Sequence, residues 1–165
     1  MTVYPRLRMR LTLTDRALKG SWPSRPILDA DGPALGALML AAYRGTVDDE
    51  GESEADAVAE VERTLGGGYG PPLGEGSLVV EDGERIVGAS MTTLFESDPF
   101  LTYLVVDPEM KRRGIGTFLV AACANALLSA GYATLDLFVT EANEPAVNLY
   151  RKLGFRVVDR VTEPP

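Results

Sequence analysis

One stretch limits the possible folds more than any other. After Phe100 the chain runs strand, turn, helix, strand, helix, strand, each with its own hydrophobic period. Phe100 to Val106 is β-rich, and Ile115 to Ala130 is a strongly apolar helix closed by Gly131. Leu135 to Val139 is a buried strand, Glu144 to Leu153 a helix closed by Gly154, and Phe155 to Val161 alternates as a last strand. Helical crossovers of this kind join strands of one sheet.

Upstream the pattern is different. Leu7, Met9, Leu11 and Leu13 alternate with Arg6, Arg8, Arg10 and Thr12, the two-residue repeat of a half-buried strand. Trp22 to Pro26 reads as irregular chain. Pro33 to Arg44 and Glu54 to Leu65 are amphipathic helices, the second reading as a solvated acidic helix. Gly66 to Gly74 is too rich in Gly and Pro for either regular structure, and is a mobile lid or a plain connector. Ser77 to Glu81 and Arg85 to Leu94 flank Asp82-Gly83, which predicts a type I′ hairpin, and Glu96 to Pro99 forms the next turn. Hairpins followed by crossovers predict an α/β fold of the α+β type with a mixed sheet.

Length and composition narrow the chemistry. At 165 residues the chain suits a single domain spanning 1–165. There is no histidine, which excludes Ser-His-Asp and Cys-His nucleophile systems and His-ligated zinc. Cys123 is the one cysteine, placed among Leu119, Ala122 and Leu127, where it reads as a small core residue. No metal site is expected. With no cysteine pair, no signal-like opening and no long apolar run, the reading is cytoplasmic, without a membrane span. The net charge of −8 divides into +4 over residues 1–47, −12 over 48–100 and 0 over 101–165. An acidic middle argues against nucleic acid and favours a cationic small molecule.

The sharpest local signal is Lys111-Arg112-Arg113-Gly114-Ile115-Gly116-Thr117, between a strand and an apolar helix. Such a turn aims free N–H groups and the helix dipole at one point, which suits a pyrophosphate. Leu119 breaks the dinucleotide fingerprint, and a P-loop Gly-Lys-Ser/Thr is missing.

Leu104-Val105-Val106-Asp107-Pro108-Glu109-Met110-Lys111-Arg112-Arg113-Gly114-Ile115-Gly116 resembles the L-x-V-x-P, Q/R-x-x-G-x-G/A motif of the GNAT superfamily of N-acetyltransferases. Lys111 departs from the family's Gln or Arg. Asn143 to Phe155 is similar to the family's N-x-x-A-x-x-L-Y-x-x-x-G-F. The resemblance implies a mostly antiparallel sheet splayed into a V and flanked by helices, with residues 77–159 as the cofactor-binding core and 1–76 as acceptor-side helices and loops.

It further implies acetyl-CoA as co-substrate. The pyrophosphate would lie on Arg112, Arg113, Gly114, Ile115, Gly116 and Thr117 with Lys111 beside it. Pantetheine would pair with Leu104, Val105 and Val106, the way an added strand pairs with a sheet edge. Tyr150 stands in the position of the family's general acid. Asn143 caps its helix, contacts the cofactor, or both. Among carboxylates, Glu96 is the first choice of general base, then Asp98, then Glu75; Tyr103 lines the acceptor pocket or points to the core. The acceptor implied is a primary amine of a small molecule or peptide, cationic in view of the acidic block, and family members are often homodimers. A non-catalytic acyl-CoA-binding sensor is the alternative.

Overall fold

The computed structural model describes residues 4–162. In chain order the elements are β1 (Arg6–Thr12), β2 (Ser24–Pro26), α1 (Gly32–Tyr43), α2 (Glu54–Leu65), β3 (Leu78–Asp82), β4 (Arg85–Phe95), β5 (Asp98–Val106), α3 (Ile115–Ser129), β6 (Thr134–Thr140), α4 (Glu144–Lys152) and β7 (Arg156–Val161). The strands form one sheet in the order β2-β3-β4-β5-β6-β1-β7. Every neighbouring pair is antiparallel except β5 and β6, which are parallel. The mixed, mostly antiparallel sheet flanked by helices is therefore the one expected.

β5 and β6 touch through a single residue pair, Phe100 with Asp136. Beyond it the two strands part, leaving the V. Among the described residues, the outer edge of β5 is consequently free of a strand partner from Leu101 to Val106. Strand alternation says which groups face that opening. Asp107 donates its N–H to Val87 O at 2.8 Å, so Val105, two residues back, also bonds toward β4. Leu104 and Val106 lie between, and their N–H and C=O groups turn into the V.

Two apolar layers cover the sheet. Leu35, Leu38 and Met39 of α1 and Val61 of α2 pack on Val79, Ala89, Met91 and Val105. On the other face, Ile115, Phe118 and Leu119 of α3 pack on Val80 and Val87, while Cys123 and Leu127 join Leu7, Leu11, Leu135, Leu137 and Phe155. α1 and α2 approach closely at Gly36, where a Cβ would stand 2.4 Å from a methyl of Val58 and 2.8 Å from its backbone.

Three local readings change. Ser24–Pro26 is a short edge strand on β3 and not irregular chain, an edge position that tolerates the proline. The β3–β4 turn encloses Gly83-Glu84 between the paired Asp82 and Arg85, with Gly83 at φ +64°. Glu84 is not in the left-handed region, so the pattern is that of a II′ turn in place of I′. The I′ pattern falls instead on Glu96 (φ 53°) and Ser97 (φ 73°), enclosed by the pair Phe95 and Asp98.

The Gly66–Gly74 segment is a pinned connector. Leu94 N–H donates to Pro71 O and Leu73 N–H to Thr92 O, each at 2.8 Å, so the segment prolongs the sheet beside β4 where β3 stops. At Gly70, φ is +114° and a Cβ would meet Leu94 O at 2.0 Å. No other residue fits there.

Candidate active site

The turn between β5 and α3 is built from a short capped segment. Asp107 accepts the Glu109 N–H at 2.9 Å and is held by Arg85 at 2.6 Å, closing a 3-10 turn over Pro108–Met110. The chain then takes two left-handed steps, Arg112 (φ 66°) and Gly114 (φ 82°), before α3 begins at Ile115. Among the described residues, the N–H groups of Arg112 to Thr117 meet no acceptor of their own chain. Lys111, Arg112, Arg113 and Gly114 are exposed beside them. A Cβ on Gly116 would stand 3.7 Å from Leu149 and 3.8 Å from Val106, in the notch where α3, α4 and β5 meet. Unspent donors, a helix N-terminus and three cations fit a diphosphate.

Tyr150 comes to the same opening from α4, with its ring edge-on to Phe155 at 5.5 Å. Burial, and then the nearby charge of Asp48, push its phenol up to about 12. It is a neutral O–H donor throughout the working range of pH. Asn143 accepts Ala146 N–H at 3.3 Å as the α4 cap and donates to Asp48 Oδ2 at 3.2 Å. Asn143 thus caps α4 and holds Asp48, with one N–H and one lone pair of its amide left over. Thr140 donates to Asp48 Oδ1 at 2.6 Å.

From the opposite face, Tyr43 of α1 lies near enough for Tyr150, Asp48, Glu52 and Glu60 to act on it. Burial first, then Tyr150 and the carboxylates Asp48, Glu52 and Glu60, raise its phenol far above the ordinary value. Tyr43 packs against Tyr103 with ring centroids 6.5 Å apart. Tyr103 points to the α1/α2 face and donates to Glu60 Oε1 at 3.0 Å; burial and Glu60 raise its phenol strongly. Tyr69, from the Gly66–Gly74 segment, donates to the same oxygen at 2.5 Å. Hydrogen bonds thus join Tyr69, Glu60 and Tyr103, Tyr103 packs on Tyr43, and Tyr150 and Asp48 lie within electrostatic reach of Tyr43. A β-bulge at Thr102 sets this arrangement up by turning Tyr103 toward α2 while Leu101 stays in the α3-side core.

The carboxylates expected from sequence lie elsewhere. Glu96 and Ser97 form the exposed tip of the β4–β5 hairpin, past the closed end of the V. Even Asp98, at the base of that turn, is four strand residues from Thr102, about 13 Å. Glu75 is exposed on a 3-10 turn that packs toward α3, the opposite face from Tyr103; a Cβ on its neighbour Gly76 would meet Cys123 Sγ at 3.1 Å. Asp48 and Glu60 are the acids brought to the opening. Glu60 hides in sequence as one acid of a solvated helix, and Tyr69 as an aromatic inside a glycine run. The latter, a bulky ring where everything else is small, was the readable signal. Cys123 is buried, its thiol held up at about 11 by burial, and it faces Thr92 in the core.

The profile of the acetyltransferase (GNAT) family matches residues 37–155, which takes in both faces of this opening. The chain belongs to that family. This GNAT chain is an acetyl-CoA-dependent N-acetyltransferase. It is 32% identical over 104 residues to the [ribosomal protein bS18]-alanine N-acetyltransferase of Salmonella typhimurium, covering 63% of this chain and 69% of that one. It is 29% identical over 155 residues to the mycothiol acetyltransferase of Mycolicibacterium smegmatis, covering 92% of this chain but 52% of that longer enzyme. Among solved structures, a GCN5-related N-acetyltransferase from Sphaerobacter thermophilus superposes with TM-score 0.70 at 20% identity, over 96% of this chain and 50% of that chain. PaiA N-acetyltransferase of Thermoplasma acidophilum, in complex with coenzyme A, gives 0.67 at 20% identity over 85% and 92%. These likenesses share the GNAT fold. No helix of the described residues is long and apolar enough to cross a membrane.

Proposed function

We propose that the chain transfers the acetyl group of acetyl-CoA directly to a primary amine that enters from the α1/α2 face. The observation that carries this is the pair of features on one open strand edge: the uncommitted N–H groups of Arg112–Thr117 where β5 and β6 have parted, and the phenols and carboxylates gathered around Tyr103 and Tyr43. The diphosphate of acetyl-CoA would sit on those N–H groups, with Lys111, Arg112 and Arg113 adding positive charge. Its pantetheine amides would pair with the open Leu104 and Val106 backbone.

The amine must be neutral to attack, and an alkylammonium has a pKa of about 10. Asp48, already holding two donors, is the carboxylate whose charge acts on Tyr150, and we assign it as the proton acceptor, directly or through one water. This replaces Glu96. The nitrogen lone pair forms the new C–N bond, the C–S bond breaks, Tyr150 gives its proton to the departing sulfur, and the proton shed by the acylated nitrogen returns to the Tyr150 oxygen. With its phenol at about 12, Tyr150 is protonated when the C–S bond breaks. Cys123 is sealed in the core, so no acetyl-cysteine step intervenes. A buried, unpaired thiol also fits a cytoplasmic site of action.

The test is release of CoA thiol from acetyl-CoA across a panel of primary amines, with the acetylated amine identified by mass. Turnover of one or more amines, strongly reduced in Asp48→Asn, is the expected result. Binding of acetyl-CoA without acetylation of any amine would overturn the proposal in favour of a sensor.

A further inference from the structure

The Glu60 carboxylate is placed as a receptor for positive charge. Oε1 accepts two neutral phenols, Tyr69 and Tyr103, and Oε2 has no partner among the described residues. Arg63, one helical turn away on α2, would be its natural counter-ion. The arginine instead lies over the Tyr69 ring at 4.9 Å, and no Lys or Arg pairs with Glu60 among the described residues. A half-buried carboxylate whose partners in the chain are neutral donors is open to pairing with a cationic ligand. The walls around it are aromatic: Tyr103 with Tyr43 behind it, and Tyr69, whose rings attract cations. The seat is also fixed in place. Tyr69 is carried by a segment bonded to β4 at Pro71 and Leu73, and the chain approaches Leu94 so closely at Gly70 that only glycine fits.

Glu60 is not at the reacting end. Tyr103 and Tyr43 stand between it and Tyr150, where the amine is acetylated in the reading above, on which this inference rests. We infer that Glu60 selects acceptors carrying a second cationic group: the reactive amine lies at Asp48 and Tyr150, and a second ammonium on the same molecule binds Glu60 Oε2. The substrate class is a primary amine with a further positive charge set back along a flexible chain.

The experiment compares kcat/KM for n-alkylamines and α,ω-diaminoalkanes of matched length, three to six carbons, at one pH and low salt. The parent enzyme should prefer the diamine by tenfold or more at its best length, through KM, and 0.5 M salt should shrink that preference. Glu60→Gln, isosteric and still able to accept the phenols, should cut the diamine-to-monoamine ratio about tenfold. Tyr69→Phe removes one phenol but leaves the charge, and should keep the ratio within threefold of the parent. Equal loss of the ratio in both variants would make Glu60 a structural hub and overturn the inference, as would a parent enzyme indifferent to the second ammonium. If no amine of either series is acetylated, the transfer reading has failed first, and this inference with it; acetylation of both series at equal rates fails the inference alone.

Discussion

Asp136 holds the sheet together where the V begins, and removing its charge should be costly. The carboxylate has 2% of its side chain exposed and accepts Arg8 Nε at 2.9 Å, Arg10 Nε at 2.8 Å and Arg10 Nη2 at 3.0 Å. Hydrogen bonds to a charged group contribute about 1.5–3 kcal/mol each. Arg8 and Arg10 are 20% and 35% exposed, so water recovers part of the loss, and asparagine keeps one acceptor oxygen. Asp136→Asn should therefore lower the unfolding free energy by about 3 kcal/mol, short of the full penalty for a severed buried pair. For a chain of this size that is a Tm decrease of roughly 6–12 °C. Urea unfolding monitored by circular dichroism measures it directly, with an unchanged m-value showing that the native state remains compact. Because Asp136 also forms the one pair between β5 and β6, the acetyl-CoA KM should rise in the same variant. Combining Asp136→Leu with Arg8→Met and Arg10→Met should restore much of the stability. A loss below about 1 kcal/mol for Asp136→Asn would refute the reasoning.

Other expectations are more local. Tyr150→Phe should lower kcat about tenfold to a hundredfold while the thermal shift given by acetyl-CoA persists, and the parent's rate should not decline through deprotonation of this phenol as pH rises from 8 to 11, since its pKa lies near 12. Gly114→Val places a β-branched residue at φ +82°, costing about 1–2 kcal/mol, and should raise the acetyl-CoA KM more than it lowers kcat, in initial-rate measurements. Gly36→Ala puts a methyl where Val58 already stands, so a loss of about 1–3 kcal/mol in chemical unfolding is expected. Its acceptor KM should also rise, because separating α1 from α2 moves Tyr43 away from Glu60.

The turn and strand edge proposed to hold the cofactor were legible because they are local. Gly114, Gly116, Val106 and Tyr150 lie on consecutive elements whose periods mark their own boundaries, and the strand–turn–helix order implies where N–H groups are left free. The acceptor half is assembled from segments distant in sequence. Asp48 on a loop, Glu60 on α2, Tyr69 in a glycine run and Tyr103 on β5 acquire meaning only when a bulge at Thr102 and the Gly36–Val58 approach bring them together. Glu96 is the first choice in sequence because it ends the strand expected to face the acceptor cleft; its turn lies instead past the closed end of the V, which only the β5–β6 pairing at Phe100 and Asp136 reveals. The Asp82-Gly83 dipeptide misled in a similar way: the register places Gly83 first in its turn, one residue later than the dipeptide rule suggests.

The turn at Glu96 and Ser97 has a practical consequence. Both residues sit in a conformation that asparagine and glycine adopt at little cost, and both are exposed, remote from Tyr150 and free of α1 and α2. Replacing the pair with Asn-Gly would relieve strain without touching a group that binds or reacts. The hairpin tip is thus the place to add stability when changes elsewhere, such as an altered Glu60 seat for a new acceptor, consume it.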